Sequence, residues 1–276
     1  MNRLLLIGPG LWLGLLSACG PATDSPPGAA ARTPAGRDSV EALHPNRAAI
    51  LRDYMSWYTY HYRQIHLARD FAGLDTAARP IARHDFLTRL ASGRYVAFHT
   101  LTRQGKPYYQ LYAPAVSNPD IKHSIRQLTD IELQHERQRG QRLPAYSFTD
   151  LQGRQYTPQS TKGKLLVLKC WFIGCTACVQ EFPALNRLVM RYRNQPDVLF
   201  VSLAFDRPQA LTTFLKTRAF QYAVVPLQRE YMQQQLGVDS YPTHILVDRT
   251  GRIAQVTNTI EDLEPMLAKL ATAQQQ

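Results

Sequence analysis

An apolar run that ends in a pair of cysteines and then reopens as a helical pattern does most to restrict the fold of this chain. Leu165-Leu166-Val167-Leu168 is a short continuous run of buried-strand type. Cys175-Thr176-Ala177-Cys178 follows it. Phe182, Leu185, Leu188 and Val189 then recur at helical spacing across residues 179–194. The cysteines thus stand where a strand ends and a helix begins.

That placement has chemical consequences. A helix N-terminus carries free N–H groups and partial positive charge. Both favour thiolate over thiol, so Cys175 is expected to have a lowered pKa. Thiolate is the attacking species in disulfide exchange. Cys178 lies one turn deeper on the same side, close enough to close an intramolecular disulfide. Two intervening residues therefore supply a nucleophile and a resolving thiol with no further cofactor.

Other uses of the cysteines make different demands. Attachment of a c-type haem needs His directly after the second cysteine, and Val179 stands there. A zinc site needs a second ligand pair, and none is evident downstream. The spacing Cys170-x4-Cys175-x2-Cys178 matches the start of a plant-type iron–sulfur pattern, which requires a fourth cysteine. The chain has only four cysteines, and the fourth is Cys19. Cys170 reads as a buried hydrophobe in the strand. Redox use is the preferred reading, with no metal and no cofactor expected. Metal binding by the pair stays open as an alternative.

The pattern downstream alternates. Residues 198–205 read as a second buried strand, 210–217 as helix, 222–225 as strand and 229–236 as helix. Residues 243–248 and 252–257 read as a hairpin across Arg249-Thr250-Gly251, and 260–273 as a closing helix. This predicts an α/β domain over residues 141–276, a mixed sheet flanked by helices.

Residues 41–140 are expected to form a smaller α+β region. Leu51, Tyr54, Tyr58, Tyr62 and Ile65 recur at helical spacing and predict one helix from about residue 45 to 69, its aromatic face packed into a core. A hairpin follows around Arg103-Gln104-Gly105-Lys106-Pro107. Ile121, Ile125, Leu128 and Ile131 mark a further helix ending near Gly140. The histidines here fall at no recognised metal-ligand spacing, and the region carries no motif with chemistry.

Residues 1–18 read as an export signal, with Arg3 ahead of an apolar stretch broken by Gly8-Pro9-Gly10. Leu16-Ser17-Ala18-Cys19 resembles a bacterial lipobox. That resemblance implies cleavage before Cys19 and lipid attachment to it. Residues 19–40 are rich in Pro, Ala and Gly and read as a flexible tether spanning roughly 25 Å. The expected location is the bacterial cell envelope, lipid-anchored and facing the periplasm. The formal net charge of +11 fits an anionic lipid surface better than nucleic acid, because the arginines are dispersed rather than gathered in one basic stripe.

The C-terminal half resembles the thioredoxin superfamily, specifically its membrane-anchored TlpA/ResA-like branch. The resemblance rests on Leu143-Pro144-Ala145-Tyr146, on the stretch from Trp171 to Cys178, on Glu181-Phe182-Pro183 and on Tyr241-Pro242-Thr243. It implies a thioredoxin-like fold and a thiol–disulfide oxidoreductase of the protein-reductase type. It further implies Cys175 as exposed nucleophile and Cys178 as resolving cysteine. Glu181 would be a carboxylate near the buried thiol that shuttles its proton, working best with a raised pKa. Trp171, Tyr241, Pro242 and Thr243 would form a substrate groove, with Pro242 cis. The partners implied are protein disulfides or thiols and a membrane redox protein. Gly174 and Ala177 depart from the usual pattern, where relatives often carry Trp and Pro, so the redox potential is not inherited. A lipid-anchored binding module, with a structural or metal-binding Cys pair, is the rival reading.

Overall fold

The computed structural model describes residues 46–115 and 118–272. The export signal, Cys19 and the tether lie outside the described residues.

The first region opens with a short helix α1 (Arg47–Ile50) and then α2 (Tyr54–Gln64). The single helix expected over residues 45–69 is broken because Asp53 caps α2: its carboxylate accepts from the Ser56 N–H at 2.8 Å and competes with helix continuation. The core side of α2 also differs from expectation. Trp57 is the fully buried residue. Tyr54, Tyr58 and Tyr62 stack along a neighbouring face, with Tyr58 40% and Tyr62 53% exposed. Three- to four-residue spacing marks a shared helix face, but it does not say which face is buried.

Strands β1 (Ala72–Leu74) and β2 (Pro80–Ile81), helix α3 (Arg83–Ala91), strands β3 (Val96–Arg103) and β4 (Lys106–Tyr112) and the long helix α4 (Pro119–Gln138) complete this region. The sheet order is β2-β1-β4-β3, with β1 and β4 parallel. Trp57, Phe71, Phe86, Phe98 and Tyr109 fill its core. Asn118 caps α4 by accepting from the Asp120 and Ile121 N–H groups. Arg139 donates to the Ala68 carbonyl and Gln138 Nε2 to the Leu236 carbonyl, at 2.6 Å for the latter, so the end of α4 ties both halves together.

The C-terminal half carries a small hairpin, β5 (Phe148–Thr149) and β6 (Gln155–Tyr156), and then the central strand β7 (Leu165–Trp171). Helices α5 (Thr176–Gln180) and α6 (Phe182–Arg191), strand β8 (Val198–Ala204), helix α7 (Pro208–Leu215) and strand β9 (Ala223–Val225) follow. A one-turn π-helix over Tyr231–Gln235 replaces the expected α-helix. Strands β10 (Thr243–Val247) and β11 (Ile253–Thr257) and helix α8 (Ile260–Thr272) close the chain.

The five-stranded sheet has the order β11-β10-β7-β8-β9. Strands β7, β8 and β9 run parallel, while β10 is antiparallel to both β7 and β11. Every residue of β7 is buried, as the apolar run required. Leu165, Val167 and Trp171 face one layer, with Phe182, Leu185 and Leu263. Leu166, Leu168 and Cys170 face the other. This is the thioredoxin-like mixed sheet with helices on both faces, preceded by a smaller α+β region.

Candidate active site

Strand β7 delivers the chain to a loop over residues 172–175, and that loop is pinned from two sides. Asp206, just beyond β8, accepts from the Ile173 N–H at 2.9 Å. Cys175 N–H donates to the Phe172 carbonyl at 3.0 Å. Cys175 is then the N-cap of α5, and its Sγ accepts from the Cys178 N–H at 3.2 Å. A free helical donor is thus spent on sulfur, the group that a thiolate would need most.

Cys175 and Cys178 are joined in a disulfide, with S–S 2.03 Å and Cα–Cα 5.3 Å. Cys175 keeps 8% of its surface exposed and Cys178 none. Both cysteines are thus buried, Cys175 less completely than Cys178, where the resemblance implied an exposed Cys175. Cys170, on the opposite layer, is a fully buried free thiol whose pKa burial pushes up to about 12. It behaves as the buried hydrophobe expected. Among the described residues no group of three or more His, Cys, Asp or Glu side chains could hold a metal ion.

The run after the pair is two helices rather than one. Pro183 has no N–H to offer the Val179 carbonyl, and the break falls at Glu181. This aims Glu181 inward. Its Oε2 accepts from Lys169 Nζ at 2.5 Å and from His244 Nε2 at 3.0 Å, and its Oε1 accepts from the Ile260 N–H at 3.2 Å. Lys169 and His244 face each other across the β7–β10 ladder and are both fully buried.

The electrostatics of Glu181 run opposite to the expected raised pKa. Burial alone would push the carboxyl up, but His244 and then Lys169 outweigh it and hold it at about 2. His244 is itself pushed below the ordinary histidine range, first by burial and then by the Lys169 charge. Its Nε2 donates to Glu181 Oε2. Lys169 is then the standing cation of the cluster, although burial lowers its pKa too. Sequence reading missed both residues. The signals were a single charge inside an all-apolar strand and a histidine directly opposite it in the hairpin register.

The groove residues divide unequally. The Tyr241–Pro242 bond is cis. Tyr241 is half-buried and packs its ring against Phe172 and Phe205, at 5.6 and 5.1 Å, beside the cysteine loop. Thr243 is buried, bonded to the Ser240 carbonyl and accepting from Asn258, so it fixes the loop without lining it. Trp171 is a correction. It is wholly enclosed, packed against Phe182, Phe214 and Phe220, at the end of the strand that leads into the cysteine loop. Its place in the strand alternation points it into the core. Phe172 and Phe205, unmarked in the sequence, take the surface position instead, stacked at 5.1 Å.

This half of the chain is similar in sequence to known proteins. Residues 138–273 match the Redoxin family. The C-terminal half of the chain has a thioredoxin-like fold and the sequence likeness of a thiol–disulfide oxidoreductase. This redoxin domain is 28% identical over 134 residues to the thiol–disulfide oxidoreductase ResA of Bacillus thuringiensis subsp. konkukian, covering 48% of this chain and 78% of that protein. It is 28% identical over 135 residues to the thioredoxin-like protein YneN of Bacillus subtilis, covering 47% and 79%. Among solved structures, the thioredoxin domain of a thiol–disulfide oxidoreductase from Bacteroides vulgatus aligns with TM-score 0.43 and 24% identity, covering 48% of this chain and 96% of that one.

Proposed function

We propose that the protein reduces disulfides of other proteins in the bacterial cell envelope, held to a membrane through Cys19. The observation that carries the reading is the disulfide at the start of α5, with Cys175 as the helix cap and the less buried of the two residues. In the reduced enzyme the Cys175 thiolate attacks one sulfur of a substrate disulfide. A mixed disulfide forms and the other substrate sulfur leaves as a thiol after taking a proton. Cys178 gives up its proton and attacks Cys175 Sγ, releasing the second substrate thiol. The Cys175–Cys178 bond reforms, and the two electrons now sit on the substrate. A membrane redox partner restores the dithiol.

Tyr241, Phe172 and Phe205 offer an apolar rim beside Cys175, with cis Pro242 behind Tyr241, and these are the groups assigned to the substrate backbone and side chains. On this reading residues 141–276 are the redox unit, preceded by a smaller region over residues 41–140. The lipobox-like quartet ending at Cys19, with the tether of residues 19–40, supports the anchor. Among the described residues no helix is long and apolar enough to cross a membrane.

The test is reduction of insulin disulfides by the purified protein. Cys175→Ser is expected to abolish turnover, and full activity in that variant overturns the assignment. Cys19→Ala is expected to move the protein from the membrane fraction to the soluble fraction.

A further inference from the structure

We propose that Lys169 and His244 are positioning residues of the redox centre, which together fix Glu181 as a permanent buried anion behind Cys178. On this account the carboxylate acts on the resolving thiol as a fixed charge already neutralised by Lys169. It does not act as a carrier that takes and returns a proton. The inference rests on the redox reading above and deepens it.

The geometry carries it. A lysine in the central strand of a sheet, with no exposed surface, has removed its ammonium from water at a cost of several kcal/mol. Such a charge persists only where it is paired, and here one carboxylate oxygen accepts from both Lys169 and His244. The pairing is local to the redox pair. Strand alternation puts Lys169 on the same side of β7 as Leu165, Val167 and Trp171, the layer that contains Cys175 and Cys178. Glu181 lies three residues beyond Cys178 at the α5–α6 break. With two donors on Oε2 and the Ile260 N–H on Oε1, both oxygens are engaged and the charged form is the one the site favours.

Other titratable groups face the cluster. Tyr222 is buried near Glu181, and its hydroxyl has no partner among the described residues. Tyr62 from α2 also feels the Glu181 charge. Glu261, at the start of α8, acts on His244, and Cys170 senses Lys169 from the other layer. None of these lies within hydrogen-bond range of Glu181 in the structure, and none of them supplies a cation. Lys169 is therefore the group whose removal unmasks the carboxylate.

The experiment is the equilibrium of the Cys175–Cys178 couple with glutathione, measured on the whole protein from pH 5 to 9. It reads the thiols directly and needs no protein substrate, so it stands or falls apart from the reductase assignment. The wild type is expected to show only the titration of its thiols. Lys169→Met leaves Glu181 buried with only His244 and the Ile260 N–H as partners, so its proton affinity rises and an added inflection is expected between pH 5 and 8. Lys169→Met/Glu181→Gln is expected to lose that inflection. A folded Lys169→Met protein with the wild-type profile overturns the proposal, as does an inflection that survives in the double variant. A purely packing role for Lys169 moves stability and leaves the profile alone. Should Lys169→Met not fold, Glu181→Gln decides. It leaves the ammonium unneutralised and is expected to lower the thiol titration by about one pH unit, a tenfold change in proton affinity. An unchanged or raised thiol titration in Glu181→Gln overturns the proposal.

Discussion

Lys169 and Glu181 are separated by twelve residues along the chain and by 2.5 Å between Nζ and Oε2. Breaking a buried pair from one side strands the other charge, which costs about 3–5 kcal/mol. Replacing both partners with apolar groups removes the desolvation problem altogether. Glu181→Leu is accordingly expected to lower unfolding stability by about 3–5 kcal/mol, and Lys169→Met/Glu181→Leu to recover most of that loss. Urea unfolding of the oxidised proteins checks both values. A double variant less stable than Glu181→Leu would contradict the pairing.

The same pair gives stability a pH dependence of known sign. The folded carboxyl is held at about 2, against an ordinary value of 4.5. The unfolded chain therefore binds the proton first as pH falls. The contribution is fully present above about pH 5 and is lost progressively down to about pH 2. Glu181→Gln should show a flatter stability curve than the wild type over that window, whatever its stability at neutral pH. Denaturation midpoints at pH 6, 4 and 3 test this.

His61 on α2 supplies a second window. Burial, with a smaller effect from His66, holds its pKa at about 4 instead of 6.5. Its ring lies 5.1 Å from that of Trp57. Between those values the unfolded chain is protonated at this site and the folded one is not. Stability is thus expected to decline as pH falls from about 6.5 to 4. In His61→Phe that part of the decline should disappear, seen as a smaller drop in melting temperature between pH 7 and pH 5.

Under the redox assignment, the two cysteines fail differently. Cys178→Ser keeps the attacking sulfur and removes the resolving one. It should accumulate mixed disulfides with substrate proteins, visible as reducible high-mass bands on non-reducing gels. Cys175→Ser should accumulate none, because the remaining sulfur has no exposed surface. Equal trapping by both variants would contradict the division of labour.

Asp262, at the start of α8, accepts from Arg69 at 2.6 Å and pairs with His66 at 3.0 Å. Both partners belong to the first region, so one buried carboxylate clasps the redoxin domain to it. Hydrogen bonds to charged groups contribute about 1.5–3 kcal/mol. Asp262→Ala should destabilise the protein by about that amount, measured by urea unfolding, and should render the chain near residue 69 more susceptible to limited proteolysis.

Much of the redoxin domain could be read from residue order. The apolar run before Cys175, the helical spacing after it and the hairpin across Thr250 each rest on a local period, and the strand and the hairpin formed where that period placed them, while the helix formed in two pieces broken at Glu181. The failures share a physical cause. Strands β1, β2, β5 and β6 are two or three residues long, too short for a period to show. Tyr58 and Tyr62 share a face with Tyr54, but tertiary packing chose Trp57 for the core. Lys169 looked like an interruption of a strand because its partners lie twelve and seventy-five residues away. For the same reason the sign of the Glu181 shift was misjudged: its charge environment comes from two other strands and from the start of α8.

The stretch joining the two halves has one further effect. Gly140 and Leu143 donate to the carbonyls of Ile253 and Gly251, and Ile253 donates back to Gln141, while Leu151 donates to the carbonyl of Val224. Residues 140–151 thereby hem both outer strands of the large sheet, β11 on one side and β9 on the other. An open margin is where sheets of separate molecules zip together into aggregates. By stitching a short length of its own backbone along each margin, the molecule narrows the place where a neighbouring copy could add itself to the ladder.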